Sequence, residues 1–164
     1  MSWKNEGGGT AIYIKNSIEH NPLPTTPKED IIEATGIRLI IKNIGATDIY
    51  STYYPPMKNN QPPLHVEQMN KLFEGQTSKI IIGDLNSKHK EWNSRVENAK
   101  GKHLQQYAEA KQILVIAPTE PTHYHESTKT SEILDISMIK NITKQFHITT
   151  MDDSGLTSDY NPII

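Results

Sequence analysis

The chain has no cysteine among its 164 residues, which excludes disulfides, thiolate zinc sites and cysteine nucleophiles in one step. A reducing compartment agrees with that. It also lacks any stretch approaching the roughly 20 apolar residues that span a bilayer, so no membrane partner is expected. The opening Met1-Ser2-Trp3-Lys4-Asn5-Glu6 has no apolar core of a signal peptide, and an intracellular protein is the expectation. Bulk positive charge is missing too. A formal net charge of −2 argues against a protein that coats nucleic acid by electrostatics alone. No internal repeat is visible.

What is present is one domain's worth of soluble, globular composition, with 35% hydrophobic and 22% charged residues. Alternating or continuous apolar runs predict strands over residues 10–15, 36–42, 48–53, 79–82, 113–117, 133–139 and 146–150. Val66, Met69, Leu72 and Phe73 fall at helical spacing, with Gly75 as the expected cap, and Leu104, Tyr107, Ala108 and Lys111 mark a second helix after Gly101. The proline-broken stretches at 21–27 and 55–63 read as loops. Strands with dispersed helices suggest a layered α/β fold.

The most informative motif is Gly83-Asp84-Leu85-Asn86, launched from Lys79-Ile80-Ile81-Ile82. A buried strand that stops in a Gly-Asp turn projects Asp84 and Asn86 over the sheet's edge, where a hard cation and its phosphate ligand can sit. An ordinary turn explains the same residues, because Asp and Asn both bond back to nearby backbone. A basic segment follows directly. From Lys88 to His103, Lys88, Lys90, Arg95, Lys100 and Lys102 face only Glu91 and Glu97, as a rim for a phosphodiester would require and as a solvated loop also allows. Asp135 falls on the polar side of an alternating strand, opposite Leu134, Ile136 and Met138. His123 and His125 alternate on a short run and supply two local zinc donors, too few for a site. Trp92 and Tyr107 read as core.

Taken in order, Tyr53 before Pro55, Gly83-Asp84-Leu85-Asn86, Pro121-Thr122-His123, Leu134-Asp135 and Ser158-Asp159 resemble the endonuclease/exonuclease/phosphatase superfamily. Ser87-Lys88-His89-Lys90-Glu91-Trp92 and Asn98-Ala99-Lys100-Gly101-Lys102-His103-Leu104 are similar to the endonuclease domain of non-LTR retrotransposons of the jockey and R-element type. The resemblance covers nearly the whole chain. It implies a four-layered α/β sandwich, like DNase I and exonuclease III, that nicks target DNA with Mg²⁺ or Mn²⁺ so that a reverse transcriptase of the parent polyprotein can prime. A nuclear site of action follows from the same likeness.

By the same resemblance, Asp84 and Asn86 would orient the nucleophile and the scissile phosphate, Tyr53 would contact that phosphate, and Asp159 would hold the metal. Lys88, His89, Arg95 and His123 would border the substrate. Asp135 would orient a histidine, but the position after Asp159 is Tyr160, and a phenol carries no positive charge at pH 7. Weakened cleavage is therefore expected, with a non-catalytic remnant or DNA-binding module as the alternative. The family's first-strand Asn and metal-binding Glu have no counterpart upstream of Gly7, with Glu33 as a possible substitute, and the chain reaches Ile164 where the family's last strand would begin. A single partial domain lacking the N-terminal strands and the last strand is the expectation.

Overall fold

The structure, a computed structural model, describes residues 9–58, 61–125, 127–144, 147–151 and 160–164. Strands are numbered in chain order: β1 (Asn21–Pro22), β2 (Glu33–Ile41), β3 (Gly45–Tyr53), β4 (Ser78–Asp84), β5 (Leu114–Ile116), β6 (His123–His125), β7 (Thr130–Glu132) and β8 (Asp135–Lys140). The helices are α1 (Val66–Leu72) and α2 (Ala99–Ala110), with a 3-10 turn at Lys90–Trp92. Six strands make one sheet in the order β1-β2-β3-β4-β8-β5, while β6 and β7 pair separately. Among the described residues no helix is long and apolar enough to cross a membrane.

The β-branched runs of β2 and β3 form a long antiparallel hairpin, in register from Glu33 opposite Tyr53 to Ile41 opposite Gly45. β3 then runs parallel to β4, and parallel neighbours need a crossover, which the proline loop and α1 provide. β4 pairs antiparallel with β8, from Lys79 opposite Lys140 to Asp84 opposite Asp135. Tyr50, Ile81 and Met138 fall in one row of these three strands. They join Met69 and Leu72 of α1 and Leu104, Tyr107 and Ala108 of α2 in one buried cluster. Each such large side chain contributes about 1.5–3 kcal/mol by leaving water.

The sheet carries charge at both ends. At one end Arg38, Asp48 and Lys79 share a row. Asp48 accepts from Arg38 Nε at 2.6 Å, Lys79 Nζ at 2.6 Å and Thr77 Oγ1 at 2.9 Å. Burial alone would raise its pKa, but these donors outweigh it and hold the carboxyl well below the usual range. At the other end Glu33, Tyr53, Asp84 and Asp135 form a row across β2, β3, β4 and β8. That acidic end carries the candidate site.

Several local expectations are corrected. Residues 10–15 form no strand: Thr10 is tied to β2 only through its contacts with Thr35, and Tyr13 is 99% exposed. The outer edge of β2 is taken instead by β1, from the stretch read as a loop, since proline is tolerated where its missing N–H would face away from the ladder. β8 starts at Asp135 and buries Ile136, Ser137, Met138 and Ile139 consecutively, so both its faces are covered where one had been expected. α1 caps at Phe73, with Gly75 two residues beyond, and α2 begins at Ala99, ahead of Gly101. Of the expected strand at 146–150, Phe146 lies outside the described residues, and Thr149 and Ile164 exchange two backbone bonds at 2.9 Å. Trp92 and Tyr107 are buried, as read from the sequence.

Candidate active site

The Gly83-Asp84-Leu85-Asn86 corner is built by backbone crowding. Gly83 has φ of +148°, and a Cβ there would stand 1.9 Å from the Thr52 carbonyl oxygen, so only glycine lets β4 approach β3 at this point. Tyr54 N–H then donates to Asp84 O at 2.9 Å and Leu85 N–H to Leu134 O at 3.1 Å, which pins the corner between β3 and the start of β8. Asn86 turns left-handed, with φ of +47°. Its N–H donates to Asp84 Oδ1 at 2.9 Å, and its Nδ2 to Tyr54 O at 3.3 Å. The side-chain bonds that make the turn also orient Asp84 and Asn86.

Asp84 shares a row with Tyr53 on one side and Asp135 on the other. Its second oxygen, Oδ2, accepts from Tyr160 Oη at 3.0 Å. Burial raises the Asp84 pKa, opposed by the Asn86 amide, the Tyr160 hydroxyl and His123. Asp135 is pushed up to about 6, first by burial and further by the Asp84 charge, with Thr122 opposing. Its Oδ2 has no hydrogen-bond partner among the described residues. Thr122, fully buried, receives the Leu134 and Asp135 amides on Oγ1 at 3.0 and 3.1 Å and so aims the start of β8. Thr122 O also accepts from Asn161 N–H at 2.8 Å, which brings Tyr160 alongside.

An open cavity of about 470 Å³ lies beside this corner, with Asn86, Lys88, Lys100, His123, Glu132 and Tyr160 in its wall. The ring of His123 lies 4.5 Å from that of Tyr160 and 4.7 Å from that of His125. Lys88 makes an ion pair with Glu132. His89 turns elsewhere: Nδ1 accepts the Glu91 amide, Nε2 lies 3.4 Å from Glu97, and the ring packs on Trp92 at 5.0 Å. Arg95 is exposed and outside the cavity wall. Asp159 lies outside the described residues. Tyr53, Asp84, Asn86, Asp135, Tyr160, Lys88 and His123 are thus brought to one end of the sheet, whereas His89 and Arg95 are not in the cavity.

Three side chains at this site were not singled out for it from the sequence. Asn98 caps α2, accepting the Gly101 amide at 2.7 Å, and also accepts the Lys88 amide and donates to Asn86 O, so it staples the corner to the helix. An Asn ahead of a helical run is the signal that could have found it. Thr122 entered only as the middle of Pro121-Thr122-His123, and neither its bonds to β8 nor the pairing of Glu132 could be read locally, because their partners are distant in sequence. Gly101 is required by the same closeness, since a Cβ there would meet Lys88 O at 2.0 Å. Glu33 lies next to Tyr53 in the acidic row, but β3 separates it from Asp84 by two strand spacings, roughly 10 Å. Among the described residues no three His, Asp or Glu side chains form a metal cluster.

Residues 47–164 match the model of the family described as endonuclease-reverse transcriptase, and the chain belongs to that family. It is 28% identical over 166 residues to the RNA-directed DNA polymerase from mobile element jockey of Drosophila melanogaster, covering 98% of this chain and 17% of the relative. The jockey polymerase of Drosophila funebris and the probable RNA-directed DNA polymerase from transposon X-element of Drosophila melanogaster are each 27% identical over a similar span. The chain therefore spans about a sixth of the length of these relatives, 17%. Among solved structures, the endonuclease domain of TRAS1, a telomere-specific non-LTR retrotransposon, matches with a TM-score of 0.62 and 20% identity, over 90% of this chain and 65% of that one. The mixed α/β fold of that endonuclease domain is the fold of this chain.

Proposed function

We propose that this chain is the DNA-nicking domain of a retroelement polyprotein, cutting one phosphodiester of a duplex in the nucleus to leave a 3′ hydroxyl for reverse transcriptase. The observation that carries this is the Tyr53, Asp84, Asp135 row beside a cavity walled by Lys88, Lys100 and His123, in a chain of the endonuclease-reverse transcriptase family. The residues fit a hard divalent cation of the Mg²⁺ or Mn²⁺ type. Such an ion takes one or two carboxylates plus substrate phosphate and water, and Asp84 and Asp135 supply two adjacent carboxylates, one with an oxygen that lacks a partner among the described residues. Asp159 is the further ligand the family resemblance assigns. When bound, the ion would act as a Lewis acid on a phosphoryl oxygen.

The chain's own groups do the rest of the work. Asp84, held by the Asn86 amide, accepts a proton from the attacking water, and the Asn86 carboxamide orients water and phosphate. Tyr53 donates a hydrogen bond to the phosphate as the bond between phosphorus and the 3′ oxygen breaks, and the departing 3′ alkoxide takes its proton from solvent water. The opposing reading, a non-catalytic remnant that keeps the fold, draws on one contact: Tyr160 occupies Asp84 with a neutral phenol at the position where the family carries imidazole. Nicking of supercoiled plasmid with Mg²⁺ separates the two. Nicking by the native chain that disappears in Asp84→Ala defeats the remnant reading, and a rise of about 100-fold or more in Tyr160→His identifies the missing imidazole as the defect. Silence from the native chain and Tyr160→His alike defeats the enzyme reading.

A further inference from the structure

Lys100, read from the sequence as part of a solvated basic segment or rim, is instead buried in the cavity wall. It lies in the first turn of α2, is 2% exposed, and its ammonium sits 3.6 Å above the Tyr54 ring centroid. It donates to the carbonyl oxygens of Tyr54 and Pro55, and the Tyr54 carbonyl also receives Asn86 Nδ2. Two of its three N–H groups meet these carbonyls, and the face of the Tyr54 ring lies against the ammonium. No carboxylate pairs with it among the described residues. In this it differs from Lys88, Lys79, Lys102 and Lys71, each of which faces an Asp or Glu. The Asp84 charge acts on it without a direct ion pair, so a cation buried this way gains from a ligand that brings further negative charge.

The surroundings select the ligand's charge. Asn98, Ala99 and Lys100, at the N-terminus of a 12-residue helix, all border the cavity, and the partial positive charge of that terminus adds to the ammonium. Burial lowers the Lys100 pKa to about 8, opposed by the Asp84 charge, so the group is still mostly cationic at neutral pH. Lys88, the other ammonium in the wall, is neutralised by Glu132.

We infer that Lys100 and the N-terminus of α2 form the phosphate-binding subsite of this cavity, taking a non-bridging oxygen of a phosphate group next to Asn86. As a subsite for a DNA phosphodiester it rests on the endonuclease reading, but the phosphate chemistry is open to separate test. In the first arm, inorganic phosphate should raise the melting temperature of the native chain above chloride at equal ionic strength. Lys100→Gln should abolish that rise, whereas Lys102→Gln, on the exposed side of the same helix, should keep it. Equal stabilisation of native and Lys100→Gln, or none of the native chain, overturns the subsite.

In the second arm, a duplex oligonucleotide in EDTA should bind Lys100→Gln about tenfold more weakly, with a log–log salt slope smaller by about one. Phosphate uptake without duplex binding would keep the subsite and sink the endonuclease reading. Duplex binding with an unchanged slope in Lys100→Gln would do the reverse. Should Lys100→Gln fail to fold, the native chain labelled with ¹³C-lysine carries the test, because the Tyr54 ring shifts the Lys100 ε-methylene resonance away from the others. That resonance should move with added phosphate, and a stationary one overturns the inference.

Discussion

Tyr160 donates its phenolic hydrogen to Asp84 Oδ2 at 3.0 Å, joining the last described segment of the chain to the corner after β4. That bond favours the ionised carboxylate and partly offsets the rise that burial imposes on Asp84. Tyr160→Phe should therefore raise the Asp84 pKa further. If Asp84 is the proposed base, its carboxylate form is the one that accepts the water's proton, and the acid limb of the nicking profile should move to higher pH. A limb that stays in place would mean that Asp84 does not set it.

Asp135 is a site where stability and the proposed chemistry oppose each other. Its folded pKa is pushed up to about 6, above the ordinary Asp value near 4, so the folded state binds the proton more tightly than the unfolded one. The cost of the buried charge is absent below about pH 4, grows between about 4 and 6 and is complete above that. Asp135→Asn should stabilise the metal-free chain by about 1–3 kcal/mol at pH 7, a gain that disappears below pH 4, while removing nicking. Urea denaturation at both pH values checks it.

At the opposite end of the sheet Asp48 shows the reverse sign. Its folded pKa is depressed by Arg38, Lys79 and Thr77, so its contribution is present above the unfolded value near 4 and is lost as pH falls through the folded one. Asp48→Ala leaves the buried Lys79 ammonium uncompensated and should cost about 3–5 kcal/mol. Lys79→Met, which removes that ammonium, should cost less because Arg38 still pairs with Asp48. Chemical denaturation of the two variants orders them.

Gly83→Ala should be among the most damaging single-methyl additions in the chain. A Cβ at φ of +148° would sit 1.9 Å from Thr52 O, and main chain cannot swing aside as a long side chain can. A loss of more than about 3 kcal/mol is expected, seen as a fall in the denaturation midpoint or as insoluble protein.

Asn98→Ala removes the α2 cap and the staple to Asn86 together. Stability should fall by about 1–2 kcal/mol. Nicking should fall further than that loss explains, because the corner is released. Asn98→Asp, which keeps the acceptor but not the Nδ2 donor, should recover stability and not the activity.

Much of the architecture was legible because it depends on short-range pattern. The apolar run ending in Gly83-Asp84 could only be a buried strand stopping at an edge, and α1 and α2 carried helical spacing over their buried residues. The strand at 10–15 failed because alternation alone does not create a neighbour, and β2's free edge was filled by Asn21–Pro22. Polar residues divided in the same way. Asp84 and Asn86 announced themselves through a local turn and Lys88 and Lys100 through a basic segment, while the pairing of Lys88 with Glu132, the burial of Lys100 and the bonds of Thr122 come only from partners that folding brings near.

The sequence by itself determined the family signature and the chemistry available: a carboxylate and a carboxamide at a strand end, a second Asp in β8, a basic segment between them, and a tyrosine following Asp159. Tertiary structure alone decided which charges face one another. Register across β3, β4 and β8 set Tyr53, Asp84 and Asp135 in one row, and the same folding turned His89 onto Trp92 and tied Lys88 to Glu132. It also buried Lys100 beneath the cavity without a carboxylate among the described residues. The physical reason is that charges act through space over a few ångströms, a distance that order along the chain does not specify.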